Sequence, residues 1–236
     1  MLCGPLPHET TSLAKKVGTA AEKRAAARGE KVKFLFVDCR TVGSVAPIFA
    51  EVLRSLGRVR PSRRLDFEKL LYRFLATLRE EGVHVIIALG DFDFLMESDP
   101  TALYTMTRLS KVSQDYQAFS CILISKSLDY LTDVDPSTRK SLQGNVVVLE
   151  PYSAEQLYDI LLSRSKQAFR EGAVDDRSLQ MVADLASIRG DARYAVELLN
   201  LAGKFAQRAG SERVSLRHVR LAYGWLAKGS GCSRGP

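Results

Sequence analysis

Residues 4–11 stand where a phosphate-binding loop would lie, between a short apolar start and a helical pattern. A P-loop has the pattern Gly-x-x-x-x-Gly-Lys-Ser/Thr, and its backbone N–H groups and its lysine hold the phosphates of a nucleotide. Here Gly4 and Thr11 match the first and last positions, whereas Glu9 replaces the second glycine and Thr10 replaces the lysine. Taken alone, the segment is an ordinary loop and helix start. In this place in the chain it predicts a broken P-loop that lacks its phosphate-binding cation.

A second candidate position follows the apolar run Val83–Leu89, where the sequence continues Gly90-Asp91-Phe92-Asp93. P-loop ATPases hold Mg²⁺ and position water with acidic residues at the end of such a strand. The usual pair is an aspartate and then a glutamate. Gly90 takes the place of the first and Asp91 that of the second, so one acid is missing and the other is a methylene shorter. The alternative interpretation is that Asp91 and Asp93 are surface acids at a strand end.

The densest basic cluster of the chain lies around Pro61 and contains Arg58, Arg60, Arg63 and Arg64. The fork of an arginine donates hydrogen bonds in pairs, which suits phosphate oxygens. The cluster therefore predicts phosphate contacts with a nucleic acid. The alternative is a charged loop that only meets solvent.

Helix and strand patterns alternate over the first 150 residues, and helices alone follow them. We predict strands at 31–39, 83–89, 120–125 and 145–149. We predict helices at 11–28, 45–56, 66–80, 101–115, 138–142, 153–171, 176–188, 192–209 and 215–228. This order is typical of an α/β parallel sheet with covering helices, followed by a small all-helical lid. The predicted division is 1–150 for the core, 151–228 for the lid and 229–236 for a disordered tail.

The composition is that of an ordinary globular protein with 236 residues, a formal net charge of +7 and a pI of about 9.3. The positive balance favours a polyanionic partner. The four cysteines form no CxxC pair, so no zinc site, disulfide scaffold or other metal site is expected. No apolar run approaches the roughly 20 residues of a membrane span, and the N-terminus lacks a signal-peptide pattern. We therefore expect a cytoplasmic protein with no membrane contact.

The order of these segments resembles the AAA+ module of archaeal origin-recognition initiators, the family shared with eukaryotic origin-recognition subunits and their helicase-loading relative. The resemblance runs from about Leu2 to about Trp225, and its two most specific segments are VVVLEPYSAEQLYDILLSR and RGDARYAVELLNLAGKFA. The other matching segments are LFVDCRTVGSVAPIFAEVLRSLG, VIIALGDFDFL and CILISKSLDYLTDVDPSTRKSL. The resemblance implies a P-loop NTPase-like (AAA+) fold in which residues 1–3 are a short remnant of the strand before the P-loop. The family also carries a C-terminal winged-helix DNA-binding domain, and this sequence ends where that domain would begin.

The resemblance also assigns roles to single residues. Arg193, in the first turn of a helix that Asp191 is expected to cap, matches the second-sensor arginine, which approaches the nucleotide phosphates in the family. Asp91 stands at the catalytic glutamate, and Lys126 replaces the asparagine of the first sensor. Arg139 is the one arginine kept of two that the family places after its Asp-Pro element, where an intersubunit arginine finger is found.

These departures fall on nucleotide chemistry, while the core and lid patterns persist. They predict a non-hydrolysing pseudo-ATPase without catalytic residues, in which Asp91 and Arg139 are remnants. The expected remnant of the nucleotide site consists of Gly4, Thr10, Thr11, Asp91, Lys126 and Arg193. No cofactor is expected, and ATP or ADP with Mg²⁺ only if the degenerate site still binds it.

The predicted function is a replication-initiator module that binds duplex DNA or an active initiator paralogue. DNA contacts with weak sequence specificity are expected from Arg58, Arg60, Arg63 and Arg64, and DNA binding would place the protein at the nucleoid. One alternative is an ATP-binding switch or weak ATPase of the origin-recognition type. Another is a structural subunit that caps or antagonises an active initiator oligomer.

Overall fold

The structure is a computed structural model that describes residues 1–4, 7–58, 67–112, 119–132, 134–142 and 144–229. It divides the chain into two compact units, Met1–Leu149 and Glu150–Pro236. The first unit contains a parallel sheet covered by helices, which confirms the α/β class predicted from the alternating pattern. In its described part, the second unit contains helices and one isolated parallel bridge between Val174 and Val214.

The sheet has five strands in the order β2-β3-β4-β1-β5. Their bounds are β1 (Leu2–Cys3), β2 (Lys31–Asp38), β3 (Val83–Gly90), β4 (Phe119–Ser125) and β5 (Val147–Val148). The two residues of β1 lie between β4 and β5, with Leu2 in register with Ile124 on one side and with Val147 on the other. The short strand before the P-loop position is therefore an inner strand, as the resemblance implies.

The described part of the first unit contains the α-helices α1 (Pro7–Ala26), α2 (Ala46–Ser55), α3 (Phe67–Glu81), α4 (Phe92–Ser98), α5 (Ala102–Val112) and α6 (Pro136–Leu142). The main core lies on the face of the sheet covered by α2 to α5, where three aromatic rings meet. The ring centroid of Phe74 is 4.7 Å from that of Phe49 and 5.6 Å from that of Phe119. The helix α4 has no counterpart among the predicted elements, since its seven residues are too few to show a helical period.

Helix α1 covers the opposite face of the sheet. Successive strand residues point to opposite faces, and Phe34 and Phe36 of β2 pack with Ala14 of α1, while Val37 belongs to the main core. The approach is close, because a Cβ added to Gly18 of α1 would lie 2.1 Å from Cδ2 of Phe34. Glycine at this position lets the helix backbone rest directly on the aromatic ring.

The second unit is built from α7 (Ala154–Ala168), α8 (Asp176–Ser187), α9 (Ala192–Arg208) and α10 (Leu216–Gly229). All four helices lie where the sequence predicts them, with ends that shift by up to three residues. A capping box fixes the start of α7, because the Ser153 hydroxyl accepts from Gln156 N and the Gln156 side chain accepts from Ser153 N. In the part of the chain that the structure describes, no helix has the length and apolar character needed to cross a membrane.

Gly190 is expected to be the most sensitive glycine of the second unit. Its φ is +60°, and an added Cβ would lie 2.3 Å from Cβ of Pro151. We expect Gly190→Ala to lower the free energy of unfolding by about 3 kcal/mol, since a left-handed alanine costs about 1–2 kcal/mol and overpacking about 1–3 kcal/mol. Gly172, with φ +72° and open space around it, is the matched control, and its alanine variant should lose only about 1 kcal/mol. Urea unfolding of both variants measures the difference, and equal losses would contradict the packing term.

Candidate functional site

The two described ends of the P-loop position, Gly4 and Thr10, are packed against neighbouring residues. The N–H of Gly4 donates to the carbonyl oxygen of Ser125 at 3.2 Å, which extends the ladder from β1 to β4. A Cβ on Gly4 would lie 3.2 Å from Cβ of Leu149 and 3.3 Å from Cγ2 of Thr10. Thr10 is 0% exposed. The residue that stands for the P-loop lysine therefore lies in the interior, packed towards Gly4.

The helix after this position begins early and carries its own negative charge. P-loops offer phosphates the unbonded N–H groups of a loop and of a helix start. Helix α1 already begins at Pro7, which has no N–H, and from Thr11 onward the N–H groups of such a helix are used within it. Glu9 lies in the first turn, where the helix dipole favours a negative charge. Glu9, which replaces the second glycine of the pattern, therefore places a negative charge at the helix start, where a P-loop would bind a phosphate.

Asp91 lies directly after β3 in an unusual backbone conformation. Its φ is +50°, and it is the one non-glycine residue with a positive φ in the described ranges. Its side chain is 16% exposed and lies between two cations. Nε of Arg40 is 3.3 Å from Oδ2 of Asp91, and Nζ of Lys126 is 3.9 Å from Oδ1. The acid at the catalytic-glutamate position is thus engaged by side chains from the ends of β2 and β4.

Arg40 is itself held in place by Asp38, the last residue of β2. Its Nε lies 3.0 Å from Oδ1 of Asp38 and its Nη2 lies 2.6 Å from Oδ2. The hydrogen bond from Arg40 lowers the pKa of Asp38, and the same contact raises the pKa of Arg40. Because Asp38 pairs in register with Gly90, Arg40 links the carboxyl ends of β2 and β3. Sequence reasoning missed Arg40, although its place two residues after a strand that ends in an acid was a usable signal.

Asp93 joins the end of β4 to this arrangement. Its Oδ2 accepts from the backbone N–H of Lys126 at 2.9 Å, and its Oδ1 lies 2.5 Å from the Ser125 hydroxyl. The ammonium of Lys126 lies 5.3 Å from the centroid of the Phe94 ring. We call the connected set the carboxyl-edge network; its members are Asp38, Arg40, Asp91, Asp93, Ser125 and Lys126. It holds three carboxylates and two cations, so most of its charge is balanced within the set.

An aromatic ring fills the space beside Gly90, where the family pattern has an aspartate. A Cβ on Gly90 would lie 2.4 Å from Cζ and 3.0 Å from Cε2 of Phe36. The ammonium of Lys15, from α1, lies 4.4 Å from the centroid of the same ring. The missing acid is therefore replaced by a packed side chain from the neighbouring strand.

The residues described at these positions, Thr10, Gly90 and Asp91, do not fit a magnesium–nucleotide complex. The lysine substitute Thr10 is buried, Phe36 takes up the space of one acid, and Asp91 is engaged by Arg40 and Lys126. A magnesium ion in a phosphate site needs carboxylate oxygens that face the phosphates. Within the described ranges, no group of three or more His, Cys, Asp or Glu side chains is placed to hold a metal ion.

Arg193 and Arg139, which the resemblance also assigns, belong to different units. Arg193 is exposed in the first turn of α9, in the second unit, and its backbone N–H donates to Oδ1 of Asp191 at 2.8 Å. Asp191 also accepts from Tyr194 N, so the predicted N-cap is confirmed. Arg139 is exposed on α6, and its Nη2 lies 3.4 Å from the carbonyl oxygen of Val134.

Of the predicted DNA-binding arginines, the structure describes one. Arg58 forms an ion pair with Glu81, at the end of α3. Arg60, Arg63 and Arg64 lie outside the described residues. The Arg58–Glu81 pair is exposed to solvent, and exposed pairs are worth about 0–1 kcal/mol, so a phosphate can compete for the guanidinium.

The pKa of Asp38 offers a direct test of the Arg40 contact. The pKa is lowered in the folded state, so the stability that the contact supplies is present above the unfolded-state pKa and is lost as the pH falls through the folded-state pKa. In Arg40→Gln we expect the pKa of Asp38 to rise towards its ordinary value, measured by carboxyl NMR titration. Arg54→Gln removes an arginine that pairs with Glu51 and should leave the Asp38 titration unchanged. Identical Asp38 curves in the parent and Arg40→Gln would contradict the contact.

Residues 158–224 match the family model described as the Cdc6 AAA+ ATPase-type lid domain. The chain is 30% identical over 223 residues to the ORC1-type DNA replication protein 2 of Sulfurisphaera tokodaii, a match that covers 90% of this chain and 53% of that relative. The chain spans about half the length of the curated relatives it matches.

Two solved structures resemble the fold over nearly the whole chain. One is the Aeropyrum pernix ORC1 protein in complex with DNA, with a TM-score of 0.76, 30% identity, and coverage of 95% of this chain and 58% of that one. The other is the Aeropyrum pernix ORC2 protein with ADPNP and ADP, with a TM-score of 0.81, 22% identity, and coverage of 95% and 60%. Because the identity to ORC2 is only 22%, that likeness concerns the fold alone. Together with the parallel sheet, these likenesses establish a P-loop NTPase-like fold.

Proposed function

The chain belongs to the archaeal Orc1/Cdc6 family of AAA+ replication-initiator proteins, and from this premise we propose that it is a non-hydrolysing member that acts by binding duplex DNA. In this proposal the AAA+ unit serves as a scaffold that positions the DNA-binding residues, and it does not hydrolyse ATP. DNA is bound through phosphates at the nucleoid, with little reading of bases and without a nucleotide cofactor.

The observation that carries the loss of hydrolysis is the engagement of Asp91 by Arg40 and Lys126. A carboxylate that orients water or metal must offer its oxygens to that ligand. Here both oxygens face cations of the chain, and one of them, Arg40, stays charged at every accessible pH, as arginines in proteins do. The buried Thr10 and the Phe36 ring beside Gly90 support the same conclusion from two further positions.

The support for DNA binding comes from charge and from the relative. The ORC1 protein of Aeropyrum pernix was solved with DNA. This chain has a net charge of +7, and its densest arginine cluster lies at residues 58–64. If four arginines neutralise phosphates, the slope of log K against log salt should be about −3 to −4.

The test combines two titrations of the full chain. Fluorescence anisotropy with a labelled duplex, at several salt concentrations and without nucleotide, should show salt-sensitive binding. The variant with Arg58, Arg60, Arg63 and Arg64 all changed to Ala should bind at least 10-fold more weakly, with a flatter salt slope. The matched control loses four exposed charges of α1 and the turn after it, by the changes Lys16→Ala, Lys23→Ala, Arg24→Ala and Arg28→Ala, and should retain most of the affinity.

Calorimetry with ATP and Mg²⁺ tests the other half of the proposal, and no saturable heat is expected. A Mg²⁺-dependent ATP turnover abolished by Asp91→Ala would overturn the non-hydrolysing assignment. Binding of ATP without turnover would favour an ATP-binding switch. No DNA binding at low salt, together with co-elution with an Orc1/Cdc6 paralogue, would replace the DNA partner with an initiator partner.

A further inference from the structure

The last described helix of the second unit has a basic and aromatic exposed side. Helix α10 contains Arg217, Arg220 and Lys228 and no acidic residue. Its buried side, which includes Val219 and Ala222, belongs to the core of the second unit. The exposed side therefore has a positive charge that no acid of the same helix offsets.

Two rows of side chains run along this exposed side. Helical residues four apart lie one above the other, so Arg217, Leu221 and Trp225 form one row and Arg220, Gly224 and Lys228 form the row beside it. We call these six residues the α10 face. It extends about 16 Å along the helix axis at about 1.5 Å per residue. Trp225 is 58% exposed and Leu221 is 50% exposed, so the indole ring meets solvent between cations at both ends of the face.

Gly224 in the middle of the face has no structural reason to be glycine. A glycine in a helix interior costs about 1 kcal/mol relative to alanine. Its φ is not positive, and an added Cβ would meet no atom within 4 Å. Packing therefore does not explain why residue 224 is a glycine. What its missing side chain provides is open space on the face between Arg220 and Lys228 of the same row, which leaves room for a ligand between the two cations.

The cations of the α10 face are available to a ligand. In the described part of the chain, the structure records no hydrogen bond or ion pair for Arg217, Arg220 or Lys228. The indole N–H of Trp225 likewise has no recorded acceptor there. By contrast, Arg40, Arg54 and Arg58 all lie in ion pairs. The charge of the face is complementary to a polyanion.

We propose that the α10 face binds single-stranded DNA, with Trp225 stacked on a base and Arg217, Arg220 and Lys228 on phosphates. Single-stranded sites combine cations along the backbone with aromatic rings on which bases stack, which is the composition of this face. The bases of a duplex are already stacked on each other, so they present only their edges to the Trp225 ring. A membrane surface would need a broad apolar side, and Val219, Ala222, Tyr223 and Leu226 of α10 are packed in the core of the second unit. This binding is separate from the duplex binding proposed above, because it uses the second unit and not the arginines at residues 58–64.

The chain offers a local probe, since Trp225 is its single tryptophan. Unlabelled oligothymidylate added to the full chain should quench the Trp225 fluorescence saturably, and a duplex of the same length should quench it far less. With three phosphate contacts, the slope of log K against log salt should be about −2 for a single strand. Duplex binding at residues 58–64 is read by the labelled duplex and its quadruple arginine variant, and single-strand binding by Trp225 and its variants, so the two proposals can fail independently.

Three variants sharpen the test, with affinity measured by anisotropy of labelled oligothymidylate. Trp225→Ala should bind about 10-fold more weakly, since stacking on one base contributes about 1–3 kcal/mol. Gly224→Gln should weaken binding similarly while raising the melting temperature, because it fills the gap and favours the helix. A better-folded variant that binds less cannot be explained by unfolding. Tyr104→Ala, which removes an exposed ring of the first unit, is the control and should bind like the parent.

Three results would overturn the proposal. The first is an unquenched Trp225 at saturating oligothymidylate. The second is equal quenching by duplex and single strand, which would assign the face to duplex DNA. The third is a blue shift of Trp225 emission with anionic phosphatidylglycerol vesicles and no response to oligothymidylate, which would assign it to a membrane surface.

Discussion

The Gly90→Asp variant, which restores the missing acid of the family pattern, is expected to lose about 3 kcal/mol or more of folding free energy and to gain no ATPase activity. The main reason for the expected loss of stability is a steric clash. Gly90 is buried, and the Cβ of any other residue there would lie 2.4 Å from Cζ of Phe36. The Phe36 ring packs with the cluster under α1, so it has little freedom to move aside. The new carboxylate would also lose hydration. Urea unfolding and a phosphate-release assay measure the two outcomes.

A double-mutant cycle separates the clash from the buried charge. Gly90→Ala adds only the Cβ, so it should lose less folding free energy than Gly90→Asp. The difference between the two variants is the contribution of the carboxylate. In Phe36→Ala/Gly90→Asp the ring is gone, so the double variant should be more stable than the sum of the single losses by about 1 kcal/mol or more. Additive losses, or a Gly90→Asp variant as stable as the parent, would show that Phe36 does not fill the space of the missing acid.

Local patterns were enough to predict most of the fold. The apolar runs of β2, β3 and β4 stand out as strands, and the four helices of the second unit have long amphipathic stripes with clear start signals such as Ser153 and Asp191. The order of these elements predicts the parallel sheet and the helical second unit. The boundary residues shifted because helix and strand ends are decided by single hydrogen bonds, which a periodicity does not resolve.

The candidate site was predicted in part, and the missing half depends on the register between strands. Asp91 and Gly90 were singled out from the pattern at the end of β3. Their partners Arg40 and Phe36 lie on β2 or just after it, about 50 residues earlier, and become neighbours only because Asp38 pairs with Gly90. Phe36 lies two residues before Asp38 and shares its face of the sheet, so it is the diagonal neighbour of Gly90. No local pattern encodes that relation.

The same limit applies to the charged residues outside the sheet. Arg58 was predicted as a phosphate contact from the density of the cluster alone. Its ion pair with Glu81 joins residues at the ends of α2 and α3, a contact that depends on how the two helices pack. An exposed ion pair of this kind does not exclude DNA, but it adds a competitor for the phosphate.

The Thr10→Lys variant, which restores the P-loop cation, is expected to lose about 3 kcal/mol of folding free energy and to bind no ATP. Thr10 is fully buried, and its Cγ2 lies against Gly4. The lysine side chain extends three atoms beyond that of threonine and carries an ammonium that must stay in water or find a partner. An unpaired buried charge of that kind is among the most destabilising changes known in proteins. Urea unfolding gives the loss, and calorimetry with Mg²⁺ and ATP tests for binding.

Thr19→Lys is the matched control, because it makes the same substitution on an exposed position of α1 and should change stability by no more than about 0.5 kcal/mol. Thr10→Val keeps the shape and removes the hydroxyl, so it should cost about 1 kcal/mol, which separates the contribution of the hydroxyl from the steric effect. If Thr10→Lys were as stable as Thr19→Lys, the interior at Gly4 would have to open to admit the lysine. Saturable ATP binding by that variant would then show that the side chain of residue 10 alone prevents nucleotide binding. It would contradict the proposal that the unit acts without a nucleotide, because a single substitution would restore the site.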